Sequence, residues 1–366
     1  MKTIDTKTLR AWLEAGKPIT ILDVRAAADR ASWSIPGSLH VDAYSALKAG
    51  NRHALDGVSL PAGVPVVTVC NAGFTSKIAS WQLQARGMEA ISLDGGMRAW
   101  SLSWNTAEVS LRGSKAQVIQ IRRVGKGCLS YLIGSEKEAV VIDASLDPEV
   151  YLNLAQGRGW TISAVLDTHI HADHLSRSGR LAELTGATLY LPAQKRVAFP
   201  FTSLEDGSTI NVGAAVITAL ATPGHTQESM CYLLDQQALF TGDTLFLQGV
   251  GRPDLHASVE EARANAGVLY GTLQHLLALP AQTLILPGHT STPTPFDQVP
   301  LTARIGDLRN KVELLRLPES DFVDALVARI PAVPPNHEMI IAFNEMGELV
   351  ENPTELEAGA NNCAVA

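Results

Sequence analysis

"LDTHIHADHLSRSG", residues 166–179, crowds three histidines and two aspartates into the nine residues from Asp167 to Leu175. The run just before it, "TISAVL", is short and apolar and reads as a buried strand. His169 and His171 stand two apart at its end, so extended chain projects them the same way. Asp173 and His174 follow in what reads as the first turn of a helix, where the helix dipole favours an acidic residue. Imidazoles and carboxylates together are ligands for a divalent metal. Three further apolar strands end alike, with His225 in "ATPGHTQES", Asp243 in "LFTGDTLF" and His289 in "LILPGHT". Each follows a glycine, where backbone can approach closely. Loops that each deliver one ligand-type residue predict a metal centre assembled at strand ends.

The rest of the chain sets the context. It has 366 residues, 46% of them hydrophobic and 18% charged, enough to bury a core and long enough for two domains. A net charge of −8 without a dense Lys/Arg run argues against a nucleic-acid partner. No apolar run approaches the roughly 20 residues of a membrane helix, so no membrane partner is expected. The opening "MKTIDTKTLRAWLEAGKP" lacks an apolar signal core and reads as a helix start. Cys70, Cys128, Cys231 and Cys363 are scattered with no CxxC pair, unlike a disulfide framework or a structural zinc site. The expectation is a soluble cytoplasmic protein, with a homodimer as an open option.

Residues 1 to about 107 alternate strands such as "PITILDVR" and "VPVVTVC" with helical stretches, the pattern of an α/β unit with a parallel sheet and helices on both faces. "TSKIASWQLQARGM" places Ile78, Trp81, Gln82 and Ala85 at helical spacing. From about residue 112 onward, "AVVIDAS", "ISAVLDT", "ATLYLP", "AVITALATPGH" and "QALFTGD" are strands ending in polar residues. The polar "SWNTAEVSLRGSKAQ" between these halves has no strong period and marks the boundary, giving domains 1–107 and 112–300. Residues 301–366 begin with the helical "ARIGDLRNKVELLRL", continue through "IPAVPPNHEMI" and read as an extension packed on the second domain.

Cys70 ends the strand "VVTVC" and opens the loop "NAGFTS" ahead of a helix. A thiol there faces loop amides and the positive end of the helix, which lowers its pKa from about 8.5 toward 7 or below. Gly73 permits a loop whose amides turn inward. The C-x-x-G-x-x-S spacing resembles the active loop of rhodanese-type sulfurtransferases, as do "ILDVR" (Asp23, Arg25), "SIPGSLHV" (34–41) and "LDGGMRAW" (93–100). The resemblance covers nearly all of residues 1–107 and implies that Cys70 carries sulfane sulfur as a persulfide. Asn71, Phe74 and Thr75 are neutral and only Lys77 is positive nearby, so backbone amides are expected to cradle that persulfide. The other three cysteines read as structural or incidental.

The order HxHxDH, Gly-His, Gly-Asp, Gly-His resembles the metallo-β-lactamase superfamily over about residues 115–295. This implies an αββα sandwich with metal at one edge of two facing sheets. The superfamily holds zinc hydrolases and iron oxygenases alike. In a binuclear zinc hydrolase of the glyoxalase II type, His169, His171 and His225 hold one metal. Asp173, His174 and His289 hold the other, Asp243 bridges, and a hydroxide attacks a thioester. "GDTLFLQGVGRPDL" (242–255) and "IPAVPPNHEMI" resemble instead the persulfide dioxygenases, the family of the ethylmalonic encephalopathy protein. That resemblance implies one Fe(II) per chain on His169, His225 and Asp243. His171, Asp173, His174 and His289 then surround it, and Arg252 is a candidate anion contact for substrate. Two histidines and one carboxylate leave three positions, enough for a substrate sulfur and O₂. The expected reaction is oxidation of a low-molecular-weight persulfide, such as glutathione persulfide, to sulfite and a thiol, coupled to sulfur transfer through Cys70. Zinc thioester hydrolysis is the alternative.

Overall fold

The computed structural model describes residues 2–255, 257–359 and 361–366. The first domain is a parallel sheet of five strands in the spatial order Thr3–Ile4, Ala90–Leu93, Val66–Val69, Thr20–Asp23 and Leu39–His40. Its central strands are buried throughout, as parallel strands between two helical layers must be. Neighbours in sequence serve opposite layers: Ile21 and Val67 join Leu9, Trp33 and Trp100, whereas Leu22 and Val66 join Ala79 and Leu83.

The helix expected from "TSKIASWQLQARGM" spans Thr75–Ala85, but it presents a different face to the sheet. Ser76, Ala79, Ser80 and Leu83 are buried, while Ile78 and Trp81 are 36% and 48% exposed. The helix lies so close that the Thr68 hydroxyl donates to the Ser76 carbonyl (2.8 Å), leaving room only for small side chains on that side.

The second domain is an αββα sandwich. One sheet has seven strands, in the order Thr202–Leu204, Thr188–Pro192, Thr161–Leu166, Glu138–Ile142, Cys128–Ser135, Gln117–Arg123 and Asn105–Val109. The other has six: Thr209–Val212, Ala215–Ala221, Met230–Leu234, Ala238–Gly242, Leu284–Pro287 and Ala303–Arg304. Tyr131, Ile133 and Ile142 of the first meet Ile217, Tyr232, Phe240 and Leu286 of the second in a shared apolar layer. Helices Pro148–Gln156 and Ser178–Thr185 cover one outer face, and Val259–Leu277 with the C-terminal helices covers the other.

Both expected boundaries shift. Asn105–Val109 pairs antiparallel with Gln117–Arg123, so the chain has entered the second domain by residue 105, not after 107. Only Asn105, Ala107 and Val109 of that edge strand turn inward, and one is polar, so the alternation was faint. The Asn105 side-chain oxygen Oδ1 accepts from Arg122 Nε at 2.7 Å. At the other end, Ala303–Arg304 adds a strand to Leu284–Pro287, so the extension begins as part of the sandwich. Its first helix stops at Lys311, and a 3₁₀ turn, Glu313–Arg316, follows. The two domains meet where Trp33 and Trp100 pack with Val124 and Phe296, and Trp33 Nε1 donates to the Val124 carbonyl at 3.0 Å. Among the described residues no helix is long and apolar enough to cross a membrane.

Candidate functional site

Cys70 sits where the strand Val66–Val69 gives way to a loop, with its Sγ accepting from the Gly73 amide at 3.1 Å and 3.2 Å from the Ser76 hydroxyl. Burial acts to raise the thiol's pKa. Hydrogen bonds from Ser76, Thr75 and Ala72 outweigh it and hold the group below its ordinary range. The "LDGG" segment forms the loop's floor: the Met97 and Arg98 amides donate to the Cys70 and Asn71 carbonyls at 2.8 and 3.0 Å. A Cβ on Gly96 would lie 2.1 Å from the Cys70 carbonyl oxygen, so only glycine allows this approach. Lys77 is turned aside to Asp94 at 3.1 Å. Asp23 and Arg25 are buried and paired with each other at 2.7 Å, supporting the loop from below.

The residues of the opening stretch lie in a loop rather than a helix, since the helix starts only at Ser178. Bonds from elsewhere hold that loop. Asn344 Nδ2, from the C-terminal extension, donates to the His171 and His174 carbonyls at 2.8 and 2.9 Å, so neither serves a helix. The Ser176 hydroxyl donates to Asp167 at 2.6 Å.

His169, His225 and Asp243 converge, each 3% exposed or less. The Thr168 hydroxyl donates to Asp143 at 3.0 Å and takes the Nδ1–H of His169 at 2.9 Å, which leaves the His169 Nε2 lone pair free. His225 Nδ1 donates to the Arg252 carbonyl at 2.8 Å, with the same consequence. Asp243 Oδ1 is 2.5 Å from His289 Nδ1, and its Oδ2 stands 3.8 Å from His169 Nε2 and 3.7 Å from His225 Nε2. Among the described residues, buried Asp243 Oδ2 and His225 Nε2 have no hydrogen-bond partner. Orphaned buried lone pairs aimed at one point are costly unless a cation sits among them. A metal about 2.0–2.2 Å from each atom fits after a small contraction. Gly242 makes the arrangement possible, since its φ of 47° is left-handed and a Cβ would lie 2.5 Å from Thr168 Oγ1.

The His171 ring lies beside that of His169, with centroids 4.3 Å apart, and its buried Nδ1 has no partner among the described residues. Its Nε2 is 3.2 Å from Asp143 Oδ1, and its nearest potential co-ligands are Asp143 and Asp167. Asp173, His174 and His289 form a second group, joined by Cys128. Asp173 lies 2.9 Å from His174 Nδ1 and 2.8 Å from His289 Nε2, and the Cys128 thiol donates to it at 3.4 Å. Burial works against charge here, but Asp173 and Asp243 raise the pKa of His289 well above its usual value. Burial likewise opposes ionisation of Asp243, and His289, followed by His169 and His225, holds it far below the carboxylate range. Burial and the neighbouring His171 keep His169 neutral.

Arg252 is not available to a substrate anion. It is fully buried, and its five N–H groups are taken by both Asp254 oxygens (2.8 Å each) and the carbonyls of Pro331, Ala332 and Asn362. It clamps the C-terminal segments instead. A cavity of about 930 Å³ opens on His169 and His171, lined by Phe199, Phe201 and Phe343 with Arg180. A second, of about 610 Å³, reaches His225 and carries Arg196.

Residues 123–289 match the profile of the metallo-beta-lactamase superfamily, and residues 5–103 that of the rhodanese-like domain. The hydroxyacylglutathione hydrolase of Polaromonas sp. (strain JS666 / ATCC BAA-500) is 31% identical over 252 residues, which cover 60% of this chain and 93% of that protein. The chain belongs to the metallo-β-lactamase superfamily. The hydroxyacylglutathione hydrolase of Pseudomonas entomophila (strain L48) is 35% identical over 161 residues, 43% of this chain, and the match spans only 59% of that enzyme's length. A metallo-beta-lactamase from Staphylococcus aureus subsp. aureus COL superposes with a TM-score of 0.60 at 26% identity, over 66% of this chain and 76% of that one.

Around this metallo-β-lactamase centre lie residues that sequence reasoning passed over. Asp143, at the end of "AVVID", has a φ of 55°, a strained value for a side-chain-bearing residue, and it orients both Thr168 and His171. Its place after an apolar strand was a usable signal. Cys128 and Cys363, read as incidental, both have their sulfur among the metal-centre residues. No local pattern announces them, because strand pairing and the path of the tail bring them in. Cys231 is the structural cysteine of the set; burial pushes its thiol up to about 12.

Proposed function

We propose that this metal-dependent enzyme oxidises a low-molecular-weight persulfide with O₂ and water, giving a thiol and sulfite, and that the rhodanese-like domain passes sulfane sulfur through Cys70. The observation that carries the reading is the ligand triad itself. His169 Nε2 and His225 Nε2 stand 3.8 and 3.7 Å from Asp243 Oδ2, so the three make one cluster. Two histidines and a carboxylate on one face are the donor set of Fe(II) oxygenases, and the ion when bound supplies open positions for substrate sulfur and O₂. The chain's own residues do the rest. Thr168 and the Arg252 carbonyl fix the tautomers of His169 and His225, and His289 keeps Asp243 ionised. The phenylalanine-lined cavity suits a tripeptide-sized thiol, and Arg180, paired with Glu183, is part of its lining. The fused sulfurtransferase fold, with its activated Cys70, handles the same kind of sulfur.

A second reading, zinc-dependent thioester hydrolysis, is favoured by the buried His171 Nδ1 and His174 Nε2, unpartnered among the described residues, which a two-metal arrangement would use. The names of the relatives point the same way. Iron-loaded protein supplied with glutathione persulfide is expected to consume O₂ and release sulfite with one metal per chain. Two zinc ions per chain, thioester cleavage and no O₂ uptake would reverse the order of the two readings. Cys70→Ser is expected to abolish persulfide transfer to an added thiol while leaving O₂ uptake unchanged; joint loss of both would rule out two separate sites.

A further inference from the structure

The C-terminal segment passes beside the metal centre at Cys363. Glu357 is fully buried between Arg123 (2.8 Å) and Arg177, and its carboxylate accepts from the Leu175 amide at 2.7 Å, next to His174. Asn361 Nδ2 donates to the Lys126 carbonyl at 3.2 Å. Arg252 then holds two successive carbonyls, Asn362 through its guanidinium and Cys363 through its own amide, both at 3.0 Å. Ala364–Val365 finally pairs as a strand with Val250–Gly251. Between these anchors Cys363 is 1% exposed, with its sulfur within 4.8 Å of ligand atoms of Asp243 and His289. The Asp243 carboxylate carries the buried Oδ2, unpartnered among the described residues, that faces His169 and His225.

We propose that Cys363 is a positioning residue of the metal centre: its thiol, delivered by the docked tail, helps His289 hold the Asp243 carboxylate so that Oδ2 is presented to the metal. A carboxylate ligand left with one outer donor can swing or bind through both oxygens, and a second donor suppresses both. Outer partners of this kind typically account for about 10–100-fold in metal affinity. The inference rests on Asp243 being a ligand, which the oxidation and hydrolysis readings share. Failure of the oxidation reading therefore shows in O₂ uptake and leaves this inference standing.

The test is Co(II) titration of metal-free, full-length protein, following the visible ligand-field bands and the dissociation constant. Cys363→Ala, which removes the donor, is expected to weaken Co(II) binding about 10-fold or more and to alter the bands. Cys363→Ser, which keeps a hydroxyl donor, is expected to restore both to near wild type. Unchanged affinity and bands in Cys363→Ala would overturn the proposal. Equal weakening in both variants would also overturn it: with loss of a near-ultraviolet thiolate-to-cobalt band it would make Cys363 a direct ligand, and without such a band it would make the role one of packing.

Discussion

Asp243→Ala protein, purified and offered iron or zinc, is expected to retain almost no metal and to lose all chemistry of the second domain. Among the described residues Asp243 is the one carboxylate grouped with His169 and His225, and its Oδ2 is the atom both histidines face. Removing a ligand outright exceeds the about 10–100-fold typical of an outer partner, so metal affinity is expected to fall by more than about 100-fold. The substitution also frees His289 Nδ1, but His289 keeps Asp173 at 2.8 Å, so the fold should survive. Metal content by mass spectrometry and a thermal melt of the metal-free proteins separate the two effects. Persulfide transfer by Cys70 should persist, because that loop is built wholly within the first domain. A fully metallated Asp243→Ala protein would remove the triad and with it both functional readings.

Glu357→Ala is expected to cost stability rather than chemistry alone. The carboxylate is 0% exposed and lies between Arg123 and Arg177, themselves 0% and 5% exposed. Removing one partner of a buried pair and leaving cations unpaired typically costs about 3–5 kcal/mol. A denaturant midpoint within error of wild type would show that water reaches these arginines. The pH dependence has a definite sign. Burial opposes ionisation of Glu357, but Arg123 and Arg177 hold its pKa far below the ordinary 4.5. A depressed carboxylate contributes stability that is fully present above the unfolded value and is lost as pH falls through the folded one. Wild type is therefore expected to weaken below about pH 4.5, and the alanine variant to lack that component of the acid transition. The same loss should loosen the tail that carries Cys363 and so weaken metal binding.

Sequence alone determined what depends on local order. Strands announce themselves by short apolar runs, and a Gly-His or Gly-Asp at a strand's end places a ligand at a sheet edge whatever the rest of the chain does. Hence both folds, the Cys70 loop, the histidines of the centre, Asp173 and Asp243 were legible, whereas Asp143 was not. Tertiary structure decided how those side chains divide. How the His171 ring is turned beside His169 depends on a strained residue 28 positions upstream. Ile78 and Trp81 face outward because Ser76 leaves no gap to the sheet. Arg252 has no donors to spare because three carbonyls from residues 331, 332 and 362 reach it across the fold. Cys128 and Cys363 become part of the metal centre only through a strand pairing and a returning tail. Such contacts join residues with no periodic relation along the chain, and only packing brings them within a few ångströms.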